Sequence, residues 1–119
     1  MVEKPLLVQT SDGIETITLN RPKSLNALSL EAVAGLNKAI EDAEADDEIK
    51  VVVITGAGTV FASGADVKEI LDKDSTFMAS YARHLHQCFL KVINCVKPVI
   101  AAINGLALGG GLELAMSCH

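Results

Sequence analysis

Lys97-Pro98-Val99-Ile100-Ala101-Ala102-Ile103-Asn104-Gly105-Leu106-Ala107-Leu108-Gly109-Gly110-Gly111-Leu112-Glu113-Leu114 joins a strand to a helix start through glycine. Lys97-Pro98 ends whatever helix precedes it. Val99 to Ile103 has the uninterrupted apolar character of a buried-type strand, and Asn104-Gly105 then turns the chain. Leu112 to Met116 has helical character, so the three glycines stand at a helix N-terminus.

A similar arrangement occurs upstream. Val51-Val52-Val53-Ile54 is a β-branched run without polar alternation, which predicts a strand covered on both faces. Thr55-Gly56-Ala57-Gly58 breaks it, and Phe61 to Asp66 leads into a short helix through Val67, Ile70 and Leu71. Strand, strand, helix units thus recur approximately, and the fold class is α/β.

Glycine lets a backbone approach a ligand closely, and a helix start leaves N–H donors unpaired with the dipole favouring negative charge. The two glycine-rich segments, Ala57 to Asp66 and Gly105 to Glu113, would together suit a carbonyl oxygen that becomes negative during reaction. Two ordinary tight turns are the alternative. Glu113 opens an otherwise apolar helix; facing a pocket beside such donors it could act as a general base, with partial burial raising its pKa. A carboxylate favoured only by the helix dipole is the competing explanation.

The flanks read more simply. Leu6 to Gln9 and Ile14 to Asn20 form a hairpin about Asp12-Gly13, the second strand alternating polar Thr16 and Thr18 with Ile17 and Leu19. Ser29 caps a helix whose apolar residues Leu30, Val33, Leu36, Ile40 and Ala43 recur at three and four, with a solvated acidic end from Glu41 to Glu48. A second helix spans Thr76 to Val96 on a stripe of Met78, Tyr81, Leu85, Cys88, Phe89, Val92 and Val96. His84 and His86, two apart, point to different sides of it.

The 119 residues are 50% hydrophobic and carry a net charge of −5, which fits one globular domain and leaves no overall positive field for nucleic acid or an anionic membrane. Cys88, Cys95 and Cys118 are odd in number and lack CxxC spacing, as expected of free thiols in a reducing compartment, and no metal site is expected. The N-terminus has no secretory character and no apolar run is long enough to span a bilayer, so the cytoplasm is the expected location.

Competing motifs fail in detail. Gly56-x-Gly58 has Phe61 where a dinucleotide fingerprint needs glycine, no GxxxxGK[ST] occurs, and Ser63 lacks the glycines of a nucleophile elbow. By contrast, Phe61-Ala62-Ser63-Gly64-Ala65-Asp66-Val67-Lys68-Glu69 and the Lys97 to Leu114 block closely resemble the two signature blocks of the enoyl-CoA hydratase/isomerase (crotonase) family. Arg21-Pro22-Lys23-Ser24-Leu25-Asn26-Ala27-Leu28 resembles a third, and the similarity runs over nearly the whole chain.

That resemblance implies a crotonase-like spiral of ββα units, here truncated, with residues 1–119 as the N-terminal part of the domain and the C-terminal half absent. It implies an acyl-CoA thioester substrate, coenzyme A being part of that substrate rather than a covalent cofactor. Backbone N–H groups of Ala65 and Gly110 would form an oxyanion hole, and Glu113 would be the first of two catalytic glutamates. Lys23, Ala27, Ser63 and Lys68 would contact CoA, the lysines as point charges near polyphosphate. The reaction expected is hydration of 2-enoyl-CoA in fatty-acid β-oxidation, with this chain inactive alone. A family isomerase, or a non-catalytic CoA-binding or assembly fragment, are the alternatives. Apolar surface left uncovered implies a homo-oligomer or a complementing C-terminal chain.

Overall fold

The computed structural model describes residues 4–119. Strands β1 (Leu6–Ser11) and β2 (Ile14–Leu19) form the expected hairpin, with Leu6 opposite Leu19 and Ser11 opposite Ile14. Asp12 and Gly13 make its two-residue turn, both at positive φ, 52° and 81°. That pairing is what a type I′ hairpin turn requires, and its twist matches that of the strands.

Helix α1 (Leu30–Ala45) begins where Ser29 accepts a hydrogen bond from the Ala32 amide at 3.1 Å. It buries Val33, Leu36, Ile40 and Ala43 as the spacing predicts, together with Ala32 and Ala39, while Leu30 is only half-buried. Its acidic end is largely solvated, and its last carbonyls meet a cation from far along the chain. Lys97 Nζ donates to Ala43 O and to Asp46 O, each at 2.6 Å, at the negative end of the helix dipole.

Strand β3 (Val51–Gly56) lies parallel to β2, and β5 (Val99–Ala101) parallel to β3, giving one sheet in the order β1-β2-β3-β5. Between them come β4 (Val60–Ala62), the short α2 (Val67–Ile70) and α3 (Ser75–Ile93); after β5 come β6 (Leu106–Ala107) and α4 (Gly110–Ser117). Strands β4 and β6 pair in parallel as a second, two-stranded sheet. The units β3-β4-α3 and β5-β6-α4 are therefore alike, each giving one strand to either sheet. The opening β1-β2-α1 unit keeps both strands in the larger sheet.

Three expectations need correction. Strand β3 is not sealed on both faces: Val52 and Ile54 are buried and Val51 and Val53 are half-buried, because the core shared with α1 and α3 lies on one side. The same holds for Val99 to Ile103, where the strand stops at Ala101 and Ile100 and Ile103 are about half exposed. Helix α3, capped by Asp74 on the Phe77 amide, ends at Ile93, so Val96 falls in the following turn and is 82% exposed. Tyr81, Cys88, Phe89 and Val92 carry the buried stripe.

The two glycine-rich segments meet main chain against main chain. A β-carbon at Gly105 would lie 1.9 Å from the Thr59 carbonyl oxygen, and one at Gly111 would lie 2.1 Å from that of Ala62. No side chain fits at either point. Glycine there fixes how closely the two glycine-rich turns approach each other.

Candidate active site

The loop from Pro22 to Leu28 lies across the start of the Ser63–Asp66 segment. Ser63 N donates to Leu25 O at 3.0 Å and Leu28 N to Gly64 O at 2.7 Å, so Leu28 and Ala65 form an isolated parallel bridge. Arg21 Nη1 holds both ends of this contact, donating to Ala27 O and to the Asp66 carboxylate, each at 2.9 Å. Lys23, Ala27, Ser63 and Lys68 line one cleft of about 250 Å³ together with Ala65. All four residues expected to contact CoA are thus brought to the Ala65 amide. Lys23 and Lys68 are exposed there, free to reach an anionic group.

The α4 turn comes up behind that cleft. A β-carbon at Gly64 would sit 3.2 Å from the Gly110 nitrogen, and one at Gly110 would sit 3.6 Å from the Ala65 nitrogen. The Ala65 and Gly110 amides are therefore neighbours. Among the described residues neither donates a hydrogen bond, whereas the next amides in α4, Gly111 N and Leu112 N, return to Leu108 O at 2.8 and 3.3 Å. Gly110 is the first residue of α4, where an unpaired donor and the positive end of the helix dipole coincide. Two adjacent, partly exposed donors can hold one oxygen that gains negative charge.

Glu113 is placed differently from the expectation of partial burial. Its side chain is exposed, because α4 turns Gly111, Leu114 and Ser117 inward. It lines a second groove, of about 400 Å³, shared with His86, Phe89, Leu90 and Ile93 of α3 and with Met116 and Ser117 of α4. The structure does not put Glu113 in the Ala65 cleft, but three residues after Gly110 it lies on the same side of α4 as that amide.

Residues 9–119 match the family model described as enoyl-CoA hydratase/isomerase. The chain belongs to the enoyl-CoA hydratase/isomerase family. A Rhizobium meliloti protein named "Probable enoyl-CoA hydratase" is 42% identical over 118 residues, covering 99% of this chain and 45% of that protein. The mitochondrial enoyl-CoA hydratase of Pongo abelii is 43% identical over 108 residues, 91% of this chain and 37% of its own length. The crystal structure of the Bacillus anthracis enoyl-CoA hydratase superposes with a TM-score of 0.93 at 34% identity, over 96% of this chain and 45% of that one. The chain thus spans less than half the length of these relatives, and the crotonase fold expected from its signature blocks is the fold it has.

Other reactive groups differ in their placement, and His86 shares the groove of Glu113. Burial pushes the Cys88 thiol up to about 12 and the Cys118 thiol up to about 11. His84 and His86 are both exposed; His84 Nδ1 contacts Ser80 O at 2.7 Å, one turn back on the same helix. Among the described residues no group of three or more His, Cys, Asp or Glu side chains is placed to hold a metal ion, and no helix is long and apolar enough to cross a membrane. Three residues that shape the site were read from sequence only as turn, block or stripe positions. Asn26 and Asn104 clamp the turn after β3, and the Tyr81 hydroxyl bonds the Asp66 amide.

Proposed function

We propose that the site serves hydration of a 2-enoyl-CoA thioester, and the observation that carries this reading is the adjacency of the unpaired Ala65 and Gly110 amides. The thioester oxygen accepts from both. CoA runs from there through the cleft of Ala27 and Ser63, its phosphates met by Lys23 and Lys68. The acyl chain takes the apolar groove of Phe89, Leu90, Ile93 and Met116, where Glu113 stands at the edge.

In this mechanism Glu113 accepts a proton from water as the water oxygen bonds to C3. The C2=C3 electron pair moves toward the thioester, whose oxygen becomes the enolate oxyanion. As that pair returns and the thioester carbonyl re-forms, C2 takes up a proton from an acid while Glu113 releases its own to solvent, so that one water is added overall. A second carboxylate to deliver the C2 proton is not assigned among residues 4–119. Each amide donor is worth on the order of 3 kcal/mol of barrier in such sites, more than a single exposed lysine contact to phosphate.

The assay is hydration of crotonyl-CoA, paired with binding of crotonyl-CoA and of CoA alone by the 119-residue chain. Binding in which the thioester shifts the Ala65 and Gly110 amide resonances, and CoA alone does not, supports the reading. Absence of that thioester-specific response sinks it. Turnover by the isolated chain that is lost in Glu113→Gln would show that one glutamate suffices, against our expectation that this chain alone is inactive.

A second reading, an assembly surface, is favoured by Val96, Ile100, Leu108 and Met116, which are 82%, 49%, 52% and 75% exposed. Apolar exposure of this extent fits surface covered by a second copy or a complementing chain. The mass of the protein in solution tests it, and a stable monomer contradicts it. The three unpaired cysteines fit a reducing compartment such as the cytoplasm.

A further inference from the structure

The peptide that carries the Ala65 N–H and the peptide after it are both pinned, and the two pins differ in kind. On one side Gly64 O accepts from Leu28 N at 2.7 Å, an ordinary ladder bond. On the other, regular parallel pairing would give the Asp66 N–H to Leu28 O. A phenol stands in its place: Asp66 N donates to Tyr81 Oη at 3.0 Å, and Tyr81 Oη donates to Leu28 O. A hydroxyl oxygen can accept from the first group and donate to the second at one point.

Tyr81 is 2% exposed and comes from α3, so the spacer is anchored outside both loops it separates. Its ring stacks on Phe77 at 6.4 Å between centroids, which fixes the direction from which the hydroxyl arrives. Burial raises the phenol above its ordinary range, so the hydroxyl stays protonated and able to donate. The Asp66 carboxylate is held independently by Arg21 at 2.9 Å. Without the hydroxyl, the buried Asp66 N–H and Leu28 O would both lose their partner, and closing the gap between them would draw the loop toward Leu28.

We propose that Tyr81 is a positioning residue, whose hydroxyl, inserted between Leu28 O and Asp66 N, spaces the loop so that the Ala65 amide stands beside that of Gly110. This rests on the acyl-CoA reading above, and it adds a residue that touches neither substrate nor reacting atoms.

The test compares the wild-type chain with Tyr81→Phe by amide NMR, first free and then with crotonyl-CoA or CoA as probes. In the free chain, the Ala65 amide of Tyr81→Phe shifts and becomes more mobile while Gly110 keeps its wild-type relaxation. With probe, Tyr81→Phe binds crotonyl-CoA roughly tenfold more weakly, as for one lost hydrogen bond, and binds CoA as the wild type does. An Ala65 amide unchanged in the free variant overturns the inference whatever the ligand does. A wild-type chain whose Ala65 and Gly110 amides ignore the thioester overturns the acyl-CoA reading instead, and with it the purpose assigned to Tyr81.

Should Tyr81→Phe fail to fold, 3-fluorotyrosine supplies the second variant, because Tyr81 is the one tyrosine in the sequence. The fluorinated phenol is a stronger donor and a weaker acceptor. The Asp66 amide proton then moves and the thioester response of Ala65 shrinks; no change in either overturns the inference.

Discussion

Asn26 and Asn104 converge on one acceptor: the Val60 carbonyl takes Nδ2 of Asn26 at 2.8 Å and Nδ2 of Asn104 at 3.3 Å. Asn26 also donates to Ala57 O and accepts from Arg21 N, while Asn104 donates to Gly56 O and accepts from Gly56 N. The turn from β3 into β4 is thereby tied to the loop before α1 and to the turn after β5. Asn26 is 1% exposed, so Asn26→Ala leaves several buried groups unpaired and lowers unfolding free energy by about 2–3 kcal/mol in urea titrations. Asn104→Ala costs about 1 kcal/mol, its site being exposed. The double variant departs from the sum, because both act on the same turn.

Adjacent glycines of α4 behave oppositely. A methyl at Gly111 meets the Ala62 carbonyl, whereas one at Gly110 finds nothing nearer than 3.6 Å. Gly111→Ala therefore forces the helix off the second sheet and costs about 3 kcal/mol or more. Gly110→Ala melts within a few degrees of the wild type, yet its methyl stands against the Ala65 amide and weakens thioester binding. Thermal unfolding beside crotonyl-CoA binding separates the two.

Glu113 offers a clean probe of chemistry because its side chain is exposed and makes no hydrogen bond or ion pair among the described residues. Glu113→Gln changes unfolding free energy by less than about 0.5 kcal/mol. A loss of hydration activity in any assembly containing this chain is then assignable to the carboxylate itself, and a drop in melting temperature would contradict its placement.

Glu15 is the acid under strain. It sits 7% exposed beneath α1, with Oε2 buried and unpaired. Burial raises its pKa, Asp42 and Asp46 add to the rise, and Lys97 opposes it. The folded chain thus holds the Glu15 proton more tightly than the unfolded one. Its contribution to stability is present below the ordinary carboxylate range and is lost as pH rises from there through the raised value. Glu15→Gln should gain about 1 kcal/mol at pH 7 and flatten that part of the stability profile, the small figure reflecting a cleft open on one side. Urea midpoints from pH 4 to 8 decide it; a variant less stable than wild type at pH 7 would refute the assignment.

What the sequence made legible was whatever rests on local geometry. The hairpin announced itself because Asp12-Gly13 suits two positive φ values in succession, and α1 because Ser29 and a three-and-four spacing coincide. The turns at Gly64 and Gly109 were visible as glycine, and both take positive φ, 115° and 49°. Strands β4 and β6 were foreseen only as the unplaced second strands of ββα units. With three and two residues they are too short to show a period, and each is defined by the other across the chain. Tyr81 was legible as one apolar position on a stripe, but the task of its hydroxyl depends on a carbonyl of one loop and an amide of another that meet only in the folded chain. Asn26 and Asn104 bond main-chain groups distant in sequence, which leaves no local pattern to read.

Because Gly105 and Gly111 meet the Thr59 and Ala62 carbonyls through bare backbone, the spot where an electron-rich oxygen would rest is set without help from the side chains of the groove wall. Phe89, Leu90, Ile93 and Met116 could then be exchanged for larger, smaller or more polar neighbours while that anchor keeps its place. Retargeting such a scaffold to a new guest would be a matter of refurnishing the room and leaving its frame alone.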